Sequence, residues 1–184
     1  MFIQTEQTPN PATLKFLPGQ TIIEGGQVEV LDADEAERVS PLARRVFGVD
    51  GVRSVFITKD FVAVTKQAAA DWYLLKPAVL GAMVEHFMSG EDAVIQQASP
   101  EPAVEAEDDE TVAKIKELLE TRVRPAVAND GGDIVFHGFE RGVVYLHMKG
   151  ACAGCPSSVV TLKNGIENLL RYYVPDVVEV RAID

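Results

Sequence analysis

The sequence predicts an α+β protein made of two small domains. Two observations predict it: strand and helix periodicities occur on both sides of residues 90–110, and that stretch has the composition of a linker. Residues 91–110 hold eight acidic residues, no basic residue, two prolines and no aromatic residue. Such a segment cannot bury enough apolar surface to order itself. We therefore predict domains over residues 1–89 and 111–184, joined by an acidic flexible linker over residues 90–110.

The first domain is predicted to be a small sheet with two helices. Strands flank the turn-prone Pro9-Asn10-Pro11, and two more strands form a hairpin that turns at Lys59-Asp60. Ser40-Pro41 has the form of an N-cap followed by an N1 proline, which begins a short helix. A second helix is predicted over residues 71–88, with four apolar residues on one face: Leu80, Met83, Val84 and Phe87. No catalytic constellation occurs in this half, and His86 is expected to contact the terminal carbonyls of its helix.

The second domain is predicted to follow the order αββαβ, which gives a three-stranded mixed sheet with two helices on one face. Apolar residues at helical spacing mark the first helix, which should end or bend near Pro125: Val112, Ile115, Leu119 and Val123. A hairpin turns at Glu140-Arg141-Gly142, and the second helix begins at Pro156. The turn Asp130-Gly131-Gly132-Asp133 pairs two carboxylates. We predict a structural turn whose acids face water, because general acid–base catalysis requires a cleft and a substrate pose.

Composition argues against several classes of function. The net charge is −11, most of which comes from the linker, and neither domain has the basic excess typical of nucleic-acid binders. No apolar run approaches the roughly 18 residues needed to span a bilayer, so neither nucleic acid nor membrane is an expected partner. The chain has only two cysteines, which form no disulfide framework and fit a reducing compartment.

The two cysteines, Cys152 and Cys155, lie in a CxxC motif between a predicted strand end and a predicted helix N-terminus. Unpaired N–H groups and the helix dipole stabilise negative charge there, so we expect the pKa of these thiols to be lowered. Gly150 and Gly154 keep the loop small and flexible, and Pro156 fixes its end. Thiolates bind metals, so this loop is the candidate metal site of the chain.

Counting ligands leaves three functions open. Iron–sulfur clusters usually take four thiolates and structural zinc is almost always four-coordinate, whereas one chain offers two cysteines. A two-fold dimer would supply the second pair from the same loop of another copy. An intrachain site with His137 and His147 is conceivable, but their spacing does not resemble a ligand pair and we predict them on the strand surface. Spacing and context favour a shared cluster, with a thiol–disulfide oxidoreductase and a structural zinc dimer as alternatives.

Long stretches of the chain resemble a known family. Residues 124–170, which run from RPAVANDGGD through GACAGCPSS, closely resemble the NifU-type C-terminal domain of the Nfu iron–sulfur proteins. In the first half, MFIQTEQTPNPATLKFLPG, GVRSVFITKDFVAVTK and WYLLKPAVLGAMVEHF look like the Nfu N-terminal domain. The resemblance therefore covers nearly the whole chain apart from the linker.

This resemblance implies a carrier rather than an enzyme. Family members receive or assemble an iron–sulfur cluster, 4Fe–4S or alternatively 2Fe–2S, between two subunits. They then pass it to apo-proteins such as radical-SAM or aconitase-type enzymes. The ligands of the family match Cys152 and Cys155 here. The implied partners are a second copy of the chain, upstream cluster-assembly proteins and apo iron–sulfur clients, while the N-terminal domain is implied to be a targeting or regulatory module without ligands.

The resemblance also gives an expectation about location. Mitochondrial members carry a transit peptide, and the first residues here lack an Arg-rich, acid-poor pattern. We therefore predict a bacterial cytoplasmic protein, with the mitochondrial matrix as the alternative for a processed form.

Overall fold

The computed structural model describes residues 1–95, 109–154 and 156–183, and the chain divides into two compact units, Met1–Pro102 and Ala103–Asp184. Each unit combines helices with its own sheet, so the predicted α+β class is confirmed. Most of the predicted linker, residues 96–108, lies outside the described residues. Each unit is described by itself below.

The first unit is built on a five-stranded antiparallel sheet with the strand order β1-β2-β5-β4-β3. Its elements are β1 (Gln4–Gln7), β2 (Thr13–Leu17), β3 (Val28–Val30), α1 (Ala33–Val39), α2 (Pro41–Phe47), β4 (Val52–Ile57), β5 (Val62–Lys66) and α3 (Trp72–Ser89). The strand β3 and the helix α1 are additions to the predicted elements. Neither has a clear periodicity, because β3 is three residues long and Ala36 is the one buried residue of α1.

The buried face of α3 differs from the predicted one. The fully buried residues are Leu75, Val79, Met83 and His86, whereas the other predicted core residues, Leu80, Val84 and Phe87, are half-buried against the same core. Apolar residues occur all around this helix, and Tyr73 and Leu74 are largely exposed. A helix with so little contrast between its faces does not reveal from periodicity which side packs inward.

Residues 91–95, at the start of the predicted linker, pack against the first unit. Ala93 belongs to its hydrophobic core, and its carbonyl accepts a hydrogen bond of 2.5 Å from the Ser40 hydroxyl. The amide of Ile95 donates to the carbonyl of Val39 at 2.9 Å. These contacts hold the chain to the first unit as far as residue 95.

The second unit is an αββαβ arrangement in which the first helix is interrupted. Its elements are α4 (Glu110–Leu118), a π-helical turn (Leu119–Val123), α5 (Arg124–Asn129), β6 (Gly132–Glu140), β7 (Val143–Gly150), α6 (Pro156–Tyr173) and β8 (Glu179–Ile183). The strand order is β6-β7-β8, with β6 antiparallel and β8 parallel to the central β7. The predicted three-stranded mixed sheet is therefore confirmed.

The central strand β7 shows why the sheet takes this arrangement. Its residues alternate in burial, and Val144, Leu146 and Met148 form the core together with residues of α4 and α6. Arg141 and Gly142 both have positive φ, 51° and 81°, as a two-residue type I′ hairpin turn requires. None of the described helices is both long and apolar enough to cross a membrane.

His86 is a buried polar group of the first unit that the sequence did not explain. Its side chain is fully buried, and neither ring nitrogen has a hydrogen-bond partner among the described residues. The expected contact with helix-terminal carbonyls is therefore wrong. Burial lowers the pKa of His86 below its ordinary 6.5, the positive charges of Arg45 and Arg44 lower it further, and the Glu91 carboxylate acts in the opposite direction.

Replacing His86 by leucine is expected to keep the first unit folded and to raise its free energy of unfolding by up to about 3 kcal/mol, because two unpaired buried nitrogens are removed. In the parent, the folded-state pKa lies below 6.5, so the unfolded chain takes up the proton more readily. The contribution of neutral His86 to the free energy of unfolding is fully present above pH 6.5, and it is lost as the pH falls through the folded-state pKa. The variant should lack this acid-dependent loss.

Urea unfolding at neutral and acid pH, followed by the fluorescence of Trp72, measures the first unit alone because the chain has one tryptophan. His137→Leu, on an exposed position of the other unit, is the matched control and should leave both midpoints unchanged. An acid dependence of equal size in the parent and in His86→Leu would contradict the assignment.

Candidate functional site

The candidate site is the short loop that joins β7 to α6 in the second unit. The strand ends at Gly150 and the helix begins at Pro156, so Cys152 lies between a strand end and a helix N-terminus, as predicted. Cys155, the other predicted ligand, lies outside the described residues. The geometry that follows is therefore that of Cys152 and its surroundings.

Backbone hydrogen bonds fix the path of this loop. The amide of Ala153 donates to the carbonyl of Gly150 at 3.1 Å, which closes a tight turn around Cys152. The amide of Ala151 donates to the carbonyl of Gly131 at 3.1 Å and ties the loop to the chain just before β6. Gly150 and Gly154 have φ of 63° and 78°, a conformation that glycine adopts without strain.

The thiol of Cys152 lies on the bare Cα of Gly132. A Cβ at position 132 would overlap Cys152 Sγ, and it would also lie 2.8 Å from the Lys149 carbonyl oxygen and 3.0 Å from the Cys152 amide nitrogen. Cys152 is only 6% exposed and belongs to the same apolar core as Ile134 and Met148. Only glycine at position 132 leaves room for this arrangement.

The expected lowering of the thiol pKa is wrong for Cys152. Burial raises its pKa to about 12, and the negative charges of Asp130 and Asp133 act in the same direction. The helix N-terminus favours the thiolate, but its effect is small for a group that the core covers. In this conformation Cys152 is a neutral, sheltered thiol.

Asp133 is a buried carboxylate rather than the exposed turn residue that the sequence predicted. Arg124 donates to it through two nitrogens, Nε to Oδ1 at 2.9 Å and Nη2 to Oδ2 at 2.7 Å. This fork compensates the burial of the charge, and a third nitrogen of Arg124 binds Glu120 at the surface. Asp130, at the other end of the turn, is exposed as predicted.

Arg124 reaches this position through the π-helical turn. A proline cannot donate a backbone hydrogen bond and its ring crowds the preceding turn of a helix, so Pro125 interferes with regular α-helix before it. The helix does not end there but widens by one residue within this turn. The Arg124 amide donates to the carbonyl of Leu119, five residues before it. The predicted end or bend near Pro125 is thus a widened turn, after which α5 continues to Asn129.

His137 and His147 lie on the sheet, as predicted, and within the described residues they do not form a metal site with Cys152. His147 lies on β7 opposite Val135, and His137 is exposed where β6 bulges. Within the part of the chain that the structure describes, no three His, Cys, Asp or Glu side chains lie close enough together to hold a metal ion. Gly132, Asp133 and Arg124 are instead the residues around Cys152 that motif reasoning missed.

Two family models match the chain, one in each half. The model for the scaffold protein Nfu/NifU N-terminal domain matches residues 3–90, and the NifU-like domain model matches residues 115–181. Relatives named NFU1 iron-sulfur cluster scaffold homolog, mitochondrial, are similar over the entire chain. The one from Drosophila virilis is 49% identical, and the one from Homo sapiens is 48% identical. The chain spans 62% of the length of the former and 72% of the latter.

One solved structure to which part of this chain is similar is that of the NifU-like protein from Saccharomyces cerevisiae. It is 27% identical, covers 53% of this chain and 87% of its own, and gives a TM-score of 0.47.

The names of the relatives contradict the predicted bacterial cytoplasmic location. Both relatives described above are named as mitochondrial proteins. The prediction used the composition of the first residues alone.

Replacing Asp133 by asparagine is expected to lower the free energy of unfolding of the second unit by about 3 kcal/mol, because Arg124 is left without its buried counter-charge. Urea unfolding followed by far-UV circular dichroism should show the loss, while Trp72 fluorescence, which reports the first unit, should not change.

Glu120→Gln is the matched control for this variant. Glu120 binds the same guanidinium from an exposed position, so its removal should cost less than about 1 kcal/mol. Equal losses from the two variants would show that the buried pair contributes no more than a surface pair.

Proposed function

The chain belongs to the Nfu family of iron–sulfur cluster scaffold proteins, and on that basis we propose that it binds an iron–sulfur cluster through Cys152 and Cys155. The cluster is cargo, held between two copies of the chain and passed to apo-proteins. One observation carries the proposal: the only two cysteines of the chain form a CxxC motif within the segment that matches the NifU-like domain.

The number of thiols supports sharing of the cluster. A 2Fe–2S or 4Fe–4S cluster is usually held by four thiolates, and a single chain supplies two. A two-fold axis beside the β7–α6 loop brings the same pair from a second copy. We propose a 4Fe–4S cluster at this interface because membership of the Nfu family implies this type, and a 2Fe–2S cluster, which also takes four thiolates, is the alternative.

The loop is also suited to releasing its cargo. It is short and made of small residues, with Gly150, Ala151, Ala153 and Gly154 around the cysteines. Small residues let a bulky inorganic core approach the backbone and leave its irons open to attack by the thiolates of an acceptor, which displace Cys152 and Cys155. A cluster held at a seam between two such loops exchanges ligands more readily than one enclosed by a single chain.

We propose no catalytic reaction for either unit. The carboxylate Asp133 is neutralised by Arg124, and His86 is enclosed in the core of the first unit. Neither is placed to transfer a proton to a substrate. The partners of the chain are a second copy, the proteins that supply the cluster and the apo-proteins that accept it.

Anaerobic reconstitution with iron and sulfide tests this function. The parent should turn brown, hold about four irons and four sulfides per dimer, and sediment as a dimer that dissociates when the iron is chelated. Cys152→Ala and Cys155→Ala should both lose the cluster, because each leaves the dimer with half of its thiolates. His137→Ala and His147→Ala are the controls and should retain it.

The rival functions predict other outcomes of the same experiment. A colourless dimer that contains zinc and unfolds with chelator would support a structural zinc site. A metal-free chain with a reversible intramolecular disulfide would support an oxidoreductase. Normal cluster retention in both cysteine variants would overturn the proposal.

Cluster transfer is measured with an apo 4Fe–4S enzyme as acceptor. The reconstituted parent should restore its activity in the presence of an iron chelator, which removes free iron. The same amounts of iron and sulfide added with Cys152→Ala should not.

A further inference from the structure

We infer that Gly132 forms a thiol seat, which holds the Cys152 side chain under the protein surface until the cluster is bound. The thiol seat is the space beside the bare Cα of Gly132, which a Cβ would fill and which Cys152 Sγ occupies. This inference rests on the proposed role of Cys152 as a ligand. It adds that the cluster-free protein keeps this ligand sheltered, and that the thiol must leave the seat before it can bind iron.

Space is the first argument for the thiol seat. Cys152 Sγ already occupies the space that a Cβ of residue 132 would take. The Lys149 carbonyl oxygen lies 2.8 Å from the same Cβ position. Gly131, the preceding residue, has a φ of 79° and needs glycine for the turn. No positive φ occurs at Gly132, so its lack of a side chain serves the close approach of the Cys152 thiol and of the Lys149 carbonyl rather than its own backbone conformation.

Burial gives the second argument. Cys152 is 6% exposed and packs with the core that β6 and β7 share with the helices. A ligand to a cluster shared between two copies has to reach the surface of its own unit. The same side chain therefore needs two positions, one on Gly132 and one outside it.

The structure around the loop allows this movement without unfolding the unit. The β6 side is fixed, since the Arg124 fork holds Asp133. Ala151, at the start of the loop, stays bonded to the Gly131 carbonyl, so the residues that move are Cys152 and Ala153. The cysteine side is flanked by Gly150 and Gly154, two residues that change backbone conformation at low cost. Movement is thus confined to the residues between these glycines.

Alkylation of the metal-free full-length protein tests the thiol seat. In a Cys155→Ser background, Cys152 is the only thiol, and its reaction with iodoacetamide is followed by mass spectrometry. Gly132→Ala should push Sγ from its position and raise the alkylation rate about tenfold or more, since the reaction no longer waits for local opening. Gly138→Ala is the matched control: it is the same substitution in the same strand, with no atom near the added Cβ, and should react like the parent.

A second measurement covers the case in which Gly132→Ala does not fold, which its circular dichroism would show. The Cys155→Ser parent is alkylated in native buffer and in a urea concentration that unfolds it. The native rate should be at least about tenfold slower than the unfolded rate. Equal native and unfolded rates would overturn the inference, as would equal rates for folded Gly132→Ala and Gly138→Ala.

These outcomes are separate from failure of the proposed function. A parent that binds no cluster refutes cluster binding whatever its alkylation rate is. A parent that binds a cluster but whose Cys152 reacts at the unfolded rate refutes the thiol seat alone.

Discussion

The close approach of β6 to the cysteine loop is the constraint on which the arrangement of the second unit depends. Gly132 pairs with Gly150 at the open end of the β6–β7 hairpin, so neither strand has a side chain there. The backbone can therefore turn immediately after β7 and place Cys152 over β6. Since α6 starts directly after this loop, the position of the loop also sets where the helix begins to pack on the sheet.

A balance of electrostatic effects follows from this packing. Raising the pKa of Cys152 from 9.0 to about 12 corresponds to roughly 4 kcal/mol against the thiolate, whereas a helix N-terminus contributes about 0.3–1 kcal/mol in its favour. Burial therefore decides the charge of this thiol in the described conformation. The negative charges of Asp130 and Asp133 raise the pKa of Cys152 further, although Asp133 is paired with Arg124.

Periodicity predicted the second unit better than the first, for a physical reason. In β7 every second residue is buried, so the order of the residues indicates which face of the strand packs on the core. In α3 nearly every face is apolar, and the choice of Leu75 and Val79 over Leu80 and Val84 depends on contacts with α2 and the sheet. The short α1 has one buried residue, so its amphipathic signal is too weak to predict, although Asp32 caps it through the Glu35 amide at 2.7 Å.

The cysteines of the candidate site could be recognised in the sequence, but the residues that surround Cys152 could not. The two glycines before Asp133 show why. Local turn rules account for Gly131, whose φ is positive, and they assign Gly132 to the same turn. Gly132 is instead the first residue of β6, and its contact partner Cys152 follows twenty residues later. A glycine inside a strand is a known sign of close backbone approach, so the signal was present in the sequence. The sequence did not indicate which group approaches Gly132, because that depends on how β6 and β7 are paired.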